Sequence, residues 1–445
     1  MKWWKPVSLS VALMLAAGTS FAAGFRLPEA GVKAMGMGFA FTAQADDPSA
    51  IYFNPAGLMQ LEGKNVMVGA TYVHENGGEF TGSTPLTGAT PGVPGLTVSE
   101  TQKTLHFMIP NAYFTSTNKK RGIAYGVGIF APFGLGQEYK DAFGSIFRNQ
   151  VTKIDLQTIV INPTFAFEVD EMLSIGFGID YMYGMATLGK TPVSTALGGN
   201  LYNLELEGSG DAWGYNFGVL IKPTKNVRIG ASYRSSFDLN VKDGDVNLNS
   251  INTTGVAALG GASVSQAFFG GGTTFATKGD ALIKMPATFA LGVAYTMDRW
   301  TFEADADWTF WSSFKSLPIT IRDQRPPVLV STNSDKQWRD VCAIRLGAEY
   351  RVTDPLALRA GFVYDPTPVP AETLGPELPD ATRLNYMVGA GYKIGPWTID
   401  TALMYIDKKE RTISNVRPEG TNLIGQNGTW EGKAWLAGLD VGYKF

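Results

Sequence analysis

The side chains that most often carry enzyme chemistry are scarce in this sequence. Two histidines, His74 and His106, and one cysteine, Cys342, occur among 445 residues. They offer little material for a His/Cys metal cage, a disulfide framework or a catalytic imidazole. A lipid hydrolase would need a serine beside one of the two histidines, and the acidic pair Asp46-Asp47 precedes a proline and is more simply a turn than an acid/base pair. We therefore expect no enzyme activity, no bound metal and no cofactor.

Charged residues instead recur at every second position of short segments. From Arg299 to Phe310, aromatic residues and alanines alternate with arginine, acidic residues and threonines. A period of two places all rings on one face of a strand and all charges on the other. In a closed barrel the charged face is the lumen, where acids and bases pair as ladders that brace the wall, and the aromatic ends of the other face suit two interfacial girdles around a lipid band.

The composition agrees with a membrane barrel. Hydrophobic residues make up 44% of the chain, charged residues only 17%, and there are 52 glycines. Mean hydropathy is −0.01, and beyond the N-terminus no stretch approaches the roughly 18 to 20 apolar residues of a spanning helix. After Gly63 we count about fourteen strand-like segments with alternating long and short connections, and an even number of strands permits closure. The last segment alternates up to Phe445, as in barrels that the outer-membrane assembly machinery recognises.

The N-terminus indicates export. Residues 1–22 have a basic start, an apolar stretch from Val7 to Ala17 and a small-residue cleavage site that ends at Ala22, as in a secretory signal peptide. Removal of Lys2 and Lys5 leaves 35 basic residues against 40 acidic ones, a net charge of about −5. Because nucleic-acid binding needs a clustered basic surface, nucleic acid is not an expected partner. We predict a barrel in the outer membrane of a Gram-negative bacterium, surrounded by lipid and lipopolysaccharide and monomeric.

Residues 23–62 lack strand alternation and are rich in small residues and methionine. A compact, turn-prone segment before the first strand could fill the lumen as a plug, without which a barrel of this size would be a water channel. Within it, Ala23-Gly24-Phe25-Arg26-Leu27 and Asn54-Pro55-Ala56-Gly57-Leu58 resemble the N-terminal hatch of the FadL family of outer-membrane transporters for long-chain fatty acids and other hydrophobic compounds. Further landmarks follow in the family's order: Phe133-Gly134-Leu135, Tyr233-Arg234-Ser235, Trp311-Ser312-Ser313-Phe314, Thr367-Pro368-Val369-Pro370, Leu378-Pro379-Asp380 with Arg383, and Glu431-Gly432-Lys433-Ala434-Trp435-Leu436.

The resemblance implies an all-β membrane protein, a 14-stranded antiparallel transmembrane β-barrel, with a hatch of short helices in its lumen. The expected division is signal peptide 1–22, hatch 23–62 and barrel 63–445. In that family the Asn-Pro-Ala motif abuts an inward kink of the third strand, where ligand leaves sideways through the wall. We therefore expect a gate at Asn54, Pro55, Ala56 and Gly57; the alternative is a tight turn that enters the first strand. Since glycine permits bends, we place the kink of the third strand, residues 122–131, at Gly126 and Gly128.

The cargo is expected to be apolar and to move passively. Its first contact should lie on the loop of residues 132–147, where three of the rings are spaced four apart as on one helical face; an equally open alternative is that these rings only pack the loop. Family members that carry fatty acids are expected to hold the carboxylate with basic residues in the lumen. The fifth-strand segment 181–185 has no such residue before Lys190, a departure that weakens the fatty-acid interpretation relative to a neutral hydrocarbon. Long-chain fatty acids are the first expectation and neutral aromatic or aliphatic hydrocarbons the alternative; a general porin is a third hypothesis. The candidate capture residues are Phe133, Leu135, Tyr139, Phe143, Ile146 and Phe147, and the candidate carboxylate partners are Arg339 and Arg345.

Overall fold

The computed structural model describes residues 24–139, 144–194, 197, 199–249, 252–326, 328–419 and 422–445. The predicted signal peptide, residues 1–22, and Phe143 lie outside the described residues. No helix in the described ranges is long and apolar enough to cross a membrane.

In these ranges fourteen antiparallel strands form one closed sheet, because the first strand pairs with both the second and the last. This confirms the predicted barrel. Several strands consist of two segments separated by a short interruption. The strands are β1 (Gly63–Glu75, Glu79–Ser83), β2 (Val98–Thr101, Leu105–Asn118), β3 (Ile123–Phe130, Gly134–Glu138), β4 (Lys153–Glu168), β5 (Leu173–Lys190), β6 (Asn203–Ile221), β7 (Val227–Arg234, Phe237–Asn249), β8 (Thr274–Met285, Thr288–Met297), β9 (Trp300–Thr309, Ser316–Ile321), β10 (Thr332–Asp335, Val341–Arg351), β11 (Leu356–Asp365), β12 (Arg383–Ile394), β13 (Trp397–Ser414) and β14 (Asn427–Lys444).

The faces of the strands are as the alternation predicts. On β9, Trp300 and Phe302 are exposed, whereas Glu303, Asp305 and Asp307 are at most 3% exposed. Six short links at one end of the barrel agree with the predicted alternation of long and short connections, and the link between β2 and β3 is formed by a 3₁₀ turn, Lys119–Arg121.

The opposite end differs from the prediction, because much of what reads as long loops continues as strand. β7 extends to Asn249, β8 begins at Thr274, and β9 resumes at Ser316 after a 3₁₀ turn at Trp311–Ser313. The reason is that polar and apolar residues keep alternating there, so the ladder can continue above the lipid band. The remaining connections contain a helix, Val264–Phe269, two 3₁₀ turns, Pro85–Thr87 and Ala257–Leu259, and two small hairpins, Val193–Ser194 with Gly199–Asn200 and Arg417–Glu419 with Asn422–Ile424.

The N-terminal segment, residues 24–62, runs through the barrel interior. It contains helix α1 (Val32–Gly36), helix α2 (Ala50–Phe53) and a 3₁₀ helix (Pro55–Gln60). Helices this short are not stable alone in water. Nearly every residue of the segment is buried, and its backbone is hydrogen-bonded to side chains of the surrounding strands. The wall therefore determines its conformation.

Candidate functional site

The wall of the barrel is interrupted between β2 and β3. Their ladder runs from Asn118 opposite Ile123 to Asn111 opposite Phe130 and stops there. The two strands meet again at the bridge of Gln102 with Tyr139. Continued by one and two residues, the ladder would place Pro110 opposite Ala131 and Ile109 opposite Pro132. Two prolines without N–H groups thus meet at the point where pairing stops. We call residues 131–133, where β3 leaves β2, the strand break.

The break also displaces β3 against its other neighbour. Phe130 pairs with Val160 of β4, but Gly134 pairs with Gln157. Between these pairs β3 advances by four residues and β4 by three, so the register shifts by one residue. An extra residue of this kind bends a strand and leaves a backbone group without a ladder partner.

The N-terminal segment forms backbone hydrogen bonds with β3 at the break. Leu27 N donates to Pro132 O at 2.8 Å, and Gly134 N donates to Phe25 O at 2.9 Å, so residues 25–27 form a short antiparallel bridge with β3 from inside the lumen. Between them, Arg26 pairs with Asp307 of β9 at 2.7 Å. A movement of the N-terminal segment would therefore change the break directly.

Gly126 and Gly128, the predicted kink positions, lie in regular pairing. Gly126 is opposite Thr115 of β2 and Thr164 of β4, and Gly128 continues the same register. The structure corrects the placement: the bend falls a few residues later, at the prolines. The two glycines instead leave room for Ile51 of α2, because a methyl group at either position would overlap its side chain.

The predicted gate residues are buried against other strands. Asn54 Nδ2 donates to Val219 O of β6 at 3.0 Å and to Thr42 O at 2.7 Å, and its Oδ1 accepts from Ala56 N at 3.1 Å, which caps the 3₁₀ helix. Pro55 occupies the first turn of that helix, where a missing N–H costs nothing.

Two wall glycines allow the gate residues to approach. Gly176 of β5 faces the backbone of Pro55 and Ala56, and Gly218 of β6 faces Asn54, so a side chain at either glycine would overlap the segment. Gly57 packs on Ala45 within the segment. The resemblance implied that the Asn-Pro-Ala motif abuts the third strand, but these tightest contacts are with β5 and β6, and α2 is the part that faces β3.

Two carboxylates of β9 hold the opposite side of the segment. Asp305 Oδ2 accepts from Phe41 N and Thr42 N, both at 3.0 Å, and Glu303 accepts from Ala43 N at 2.7 Å and from Gln44 N at 2.8 Å. Both carboxylates are almost completely buried. We call Glu303 and Asp305 the carboxylate anchor. The alternation from Arg299 to Phe310 predicts these acids in the lumen, where they lie, but as ladders that brace the wall and not as acceptors for the segment.

An apolar cavity of about 90 Å³ lies between the extracellular half of the barrel and the N-terminal segment. Its lining is almost entirely aliphatic and aromatic, with Phe25 and Leu135 from the segment and β3, Leu156 from β4, and Ile283 from β8. Phe25 closes its inner end and packs on Trp311 with ring centroids 4.7 Å apart. We call this the apolar pocket.

The polar groups of the apolar pocket are at its rim. Lys336 and Glu377 form an ion pair there. Burial alone would raise the pKa of Glu377, but the neighbouring ammonium more than reverses this effect, so the pKa lies below the usual value for a glutamate. Two further cavities, of about 120 and 390 Å³, share walls with the pocket and continue outward past Lys190. Together they form a trough from the loops to Phe25.

Of the predicted capture residues, Leu135 lies on the strand Gly134–Glu138. The helical spacing of Tyr139, Phe143 and Phe147 stays a prediction, because Phe143 lies outside the described residues. Leu135 lines the apolar pocket, and Phe133 lines a smaller cavity of about 30 Å³ beneath it. Tyr139 donates its hydroxyl to Pro376 O at 2.8 Å, and Phe147 stacks on Trp430. Ile146 packs at the edge of the same core. Capture by this set stays a prediction, and for Tyr139 and Phe147 the contacts are those of loop packing.

The two candidate carboxylate partners lie in different surroundings. Arg339 is 73% exposed and is 3.9 Å from Glu372, a surface pair. Arg345 is buried, and its guanidinium lies 2.6 Å from Asp307, which also holds Arg26. Binding of a ligand carboxylate by these two arginines stays a prediction. Lys336 could not be predicted as a pocket residue from the sequence, because its position at the pocket depends on how distant loops fold together.

A closed outer-membrane-type barrel with a filled lumen, an apolar cavity above the filling and an interrupted wall beside it defines a transport barrel for apolar compounds. The sequence model of the outer membrane protein transport protein family (OMPP1/FadL/TodX) matches residues 13–445. The chain therefore belongs to this family of outer-membrane transport proteins.

Individual relatives agree. The long-chain fatty acid transport protein of Escherichia coli O6:H1 is 27% identical, with 98% of each chain covered. The crystal structure of a Pseudomonas aeruginosa FadL homologue superposes with a TM-score of 0.78 at 22% identity, covering 95% of this chain and 100% of that one. The Ralstonia pickettii toluene transporter TbuX gives 0.64 at 20% identity, covering 93% and 98%. At these identities the two crystal structures show the fold alone.

Proposed function

We propose that this protein takes up long-chain fatty acids passively, by capture in the trough, displacement of the N-terminal segment and lateral exit at the strand break. The observation that carries this proposal is that Phe25 lines the apolar pocket and also accepts a hydrogen bond from Gly134 N, directly beside the break. A ligand that enters past Phe25 must separate the pair that holds β3 in its bent course.

Residues 23–62 act as the hatch in this proposal. Beneath Phe25 the small cavity is lined by Arg26, Pro132, Phe133 and Arg345, so it touches both the segment and the break. Its volume of about 30 Å³ is far below that of a ligand. Passage therefore requires the segment to move, and in this sense the segment is a gate.

Fatty acid as cargo is supported by the combination of an apolar trough and an amine at its outer end. Transfer of acyl surface from water into the pocket is favourable by about 25 cal/mol per Å². The ammonium of Lys190, at the walls of both outer cavities, can hold a carboxylate in partly exposed surroundings. The curated Escherichia coli relative carries fatty-acid transport in its name.

A neutral hydrocarbon is the second candidate, and one observation favours it. The ammonium of Lys336, nearest to the apolar pocket, is already matched by Glu377, so the pocket itself offers no unmatched cation to an anionic ligand. The toluene transporter TbuX shares the fold.

The test compares uptake of labelled oleate and of an alkylbenzene by cells with and without the protein. We expect protein-dependent oleate uptake that falls severalfold with Lys190→Met, whereas alkylbenzene uptake would be unaffected by that change. Dependence of alkylbenzene uptake alone would establish the hydrocarbon alternative, and dependence of neither would refute the transport proposal.

The gate is tested separately. Asn54→Ala combined with Pro55→Ala removes the two bonds to Thr42 and Val219 and the preset bend. We expect altered uptake while the barrel still assembles, as judged by heat-dependent electrophoretic mobility. Unchanged uptake by the assembled double variant would remove these residues from the gate.

A further inference from the structure

The two histidines of the sequence meet on the outer face of the barrel. β1 and β2 pair with His74 directly opposite His106, and the two Nδ1 atoms are 3.4 Å apart. The hydroxyl of Tyr72 is 2.7 Å from His106 Nδ1. The neighbouring outward positions, such as Val68 and Met108, are exposed. The transport path proposed above runs through the lumen and leaves through the wall at the strand break, and it uses none of these three side chains.

The distance between the nitrogens is that of two ligands of one metal ion. Zn–N bonds of about 2.0–2.1 Å at a tetrahedral angle place two nitrogens about 3.3–3.4 Å apart. Because the strand ladder fixes both backbones, the pair is arranged before any metal arrives. We propose that His74 and His106 form a binding site for a divalent transition-metal cation such as Zn²⁺. The metal would replace the hydrogen bond of the Tyr72 hydroxyl to His106 Nδ1, and that hydroxyl, once moved, or water would complete the coordination shell.

The site lies where water and ions can reach it. His74 is opposite Trp435 of β14, whose ring packs on Tyr405 with centroids 4.5 Å apart. Such outward aromatic pairs belong to the interfacial girdle of a barrel. The next outward positions of β14 toward the loops are Lys433 and Glu431, both exposed and charged, so the histidines lie at the boundary of the lipid band and not within it.

Imidazole nitrogen selects the kind of cation. It suits zinc, copper and nickel, whereas magnesium and calcium prefer oxygen ligands. Among the described residues, no three or more His, Cys, Asp or Glu side chains converge as metal ligands, so two imidazoles provide the protein's nitrogen donors here. With two histidines and one cysteine the sequence predicts no metal site, and only the register of β1 and β2 brings together the two histidines, which are 32 positions apart.

The site also lies beside the strand break. His106 belongs to the part of β2, residues 105–110, that the ladder with β3 does not reach. A metal ion would join β1 and β2 beside this gap, which closes again at the bridge of Gln102 with Tyr139. Since it would bind the folded barrel and not the unfolded chain, bound metal should raise the melting temperature.

The test uses the purified full-length barrel in detergent and Zn²⁺ as the probe, measured by competition with a chromophoric chelator. We expect one Zn²⁺ per barrel. The affinity should be at least about tenfold lower for His74→Ala and for His106→Ala, since loss of even an outer-shell partner of a metal site commonly costs roughly 10–100-fold. Tyr72→Phe should lower the affinity less. The matched control is Tyr405→Phe, an outward aromatic at the same level, which should bind as the unaltered protein does.

A second measurement separates binding from folding. Zn²⁺ should raise the melting temperature of the unaltered protein and of Tyr405→Phe, with reversal by a chelator, and should not raise that of either histidine variant. Equal Zn²⁺ affinity in the unaltered protein and the histidine variants, or no stoichiometric binding at all, would overturn the proposal.

Discussion

The two sides of the N-terminal segment are held to the wall by different forces. Toward β9, four consecutive amides donate to the carboxylate anchor. Toward β3, β5 and β6, the segment packs on wall glycines and is held mainly by neutral amide bonds such as that of Asn54 to Val219, with two charged donors: Lys119 to Met59 O, and Arg234 to Ile51 O and Tyr52 O. Hydrogen bonds to charged groups contribute about 1.5–3 kcal/mol each and neutral ones about 1 kcal/mol. The more strongly held side, toward β9, lies away from the break, and the more weakly held side, toward β3, β5 and β6, lies next to it. We therefore expect the segment to move first on the side where the wall is interrupted.

The backbone on the anchored side is also strained. Phe39 and Ala45 have φ values of 55° and 28°, a region that costs non-glycine residues on the order of 1–2 kcal/mol each. The carboxylate anchor accepts from the amides of residues 41–44, which lie between these two positions in the chain. It thus holds a conformation that the segment would not keep on its own.

Removal of the anchor should have the largest effect. In Glu303→Gln with Asp305→Asn, an NH2 group replaces one oxygen of each carboxylate, including one of the two Glu303 oxygens that accept from Ala43 N and Gln44 N, and the docking of the segment should weaken by several kcal/mol in total. We expect a large steady conductance in planar bilayers, where the unaltered protein shows little. Asp245→Asn, which alters an exposed pair with Lys278, is the control. An equally low conductance in the anchor variant would mean that the weak side alone retains the segment.

Loss of Arg26 should have the next largest effect, because this residue joins the two sides. Its guanidinium reaches Asp307 on β9 while its neighbours Phe25 and Leu27 bond to β3. Breaking a buried pair costs about 3–5 kcal/mol, and the cost should fall at the lower end because Arg345 still neutralises Asp307. Arg26→Ala should speed hydrogen exchange at the Leu27 and Gly134 amides.

The matched control for that change is Arg339→Ala, which removes an exposed arginine whose surface pair contributes about 0–1 kcal/mol. It should leave exchange at both amides unaltered. Equal protection of Leu27 and Gly134 in Arg26→Ala and Arg339→Ala would show that the bridge to β3 does not depend on the ion pair.

The features that can be predicted from the sequence are local ones, and those that cannot are contacts between residues far apart in the chain. The alternation from Arg299 to Phe310 assigns the carboxylates to the lumen, because side-chain direction is a local property of a strand. Their partners are backbone amides more than 250 positions away, and no local pattern specifies such pairs. The strand break did have a local signal, Pro110 and Pro132, but it becomes visible only when the register of β2 and β3 is known. Reasoning from Gly126 and Gly128 failed because these glycines serve the close approach of Ile51.

A smaller effect is expected on the weak side. In Gly176→Ala the new methyl group would overlap the backbone of Pro55 and Ala56, and overpacking of this kind costs about 1–3 kcal/mol. We expect a lower melting temperature and a modest leak, well below that of the anchor variant. Gly432→Ala is the control, since its methyl group would meet nothing closer than the flexible Lys408 side chain at 3.3 Å. A leak as large as that of the anchor variant would contradict the ranking of the two sides.

The smallest effect concerns pH at the other end of the segment. Asp47 faces the vestibule of about 630 Å³ beside the short turns, and burial raises its pKa from the ordinary value of 3.8 to about 6. Because the folded state then binds the proton more tightly than the unfolded chain does, Asp47 contributes stability below pH 4 that is lost as the pH rises through 6. With partial exposure to water the contribution should be about 1 kcal/mol. The melting temperature of the unaltered protein relative to Asp47→Asn should therefore fall between pH 4 and pH 7. A difference that is flat with pH, or that rises, would show that the carboxylate is ionised at no cost and that this end of the segment is wetter than its packing indicates.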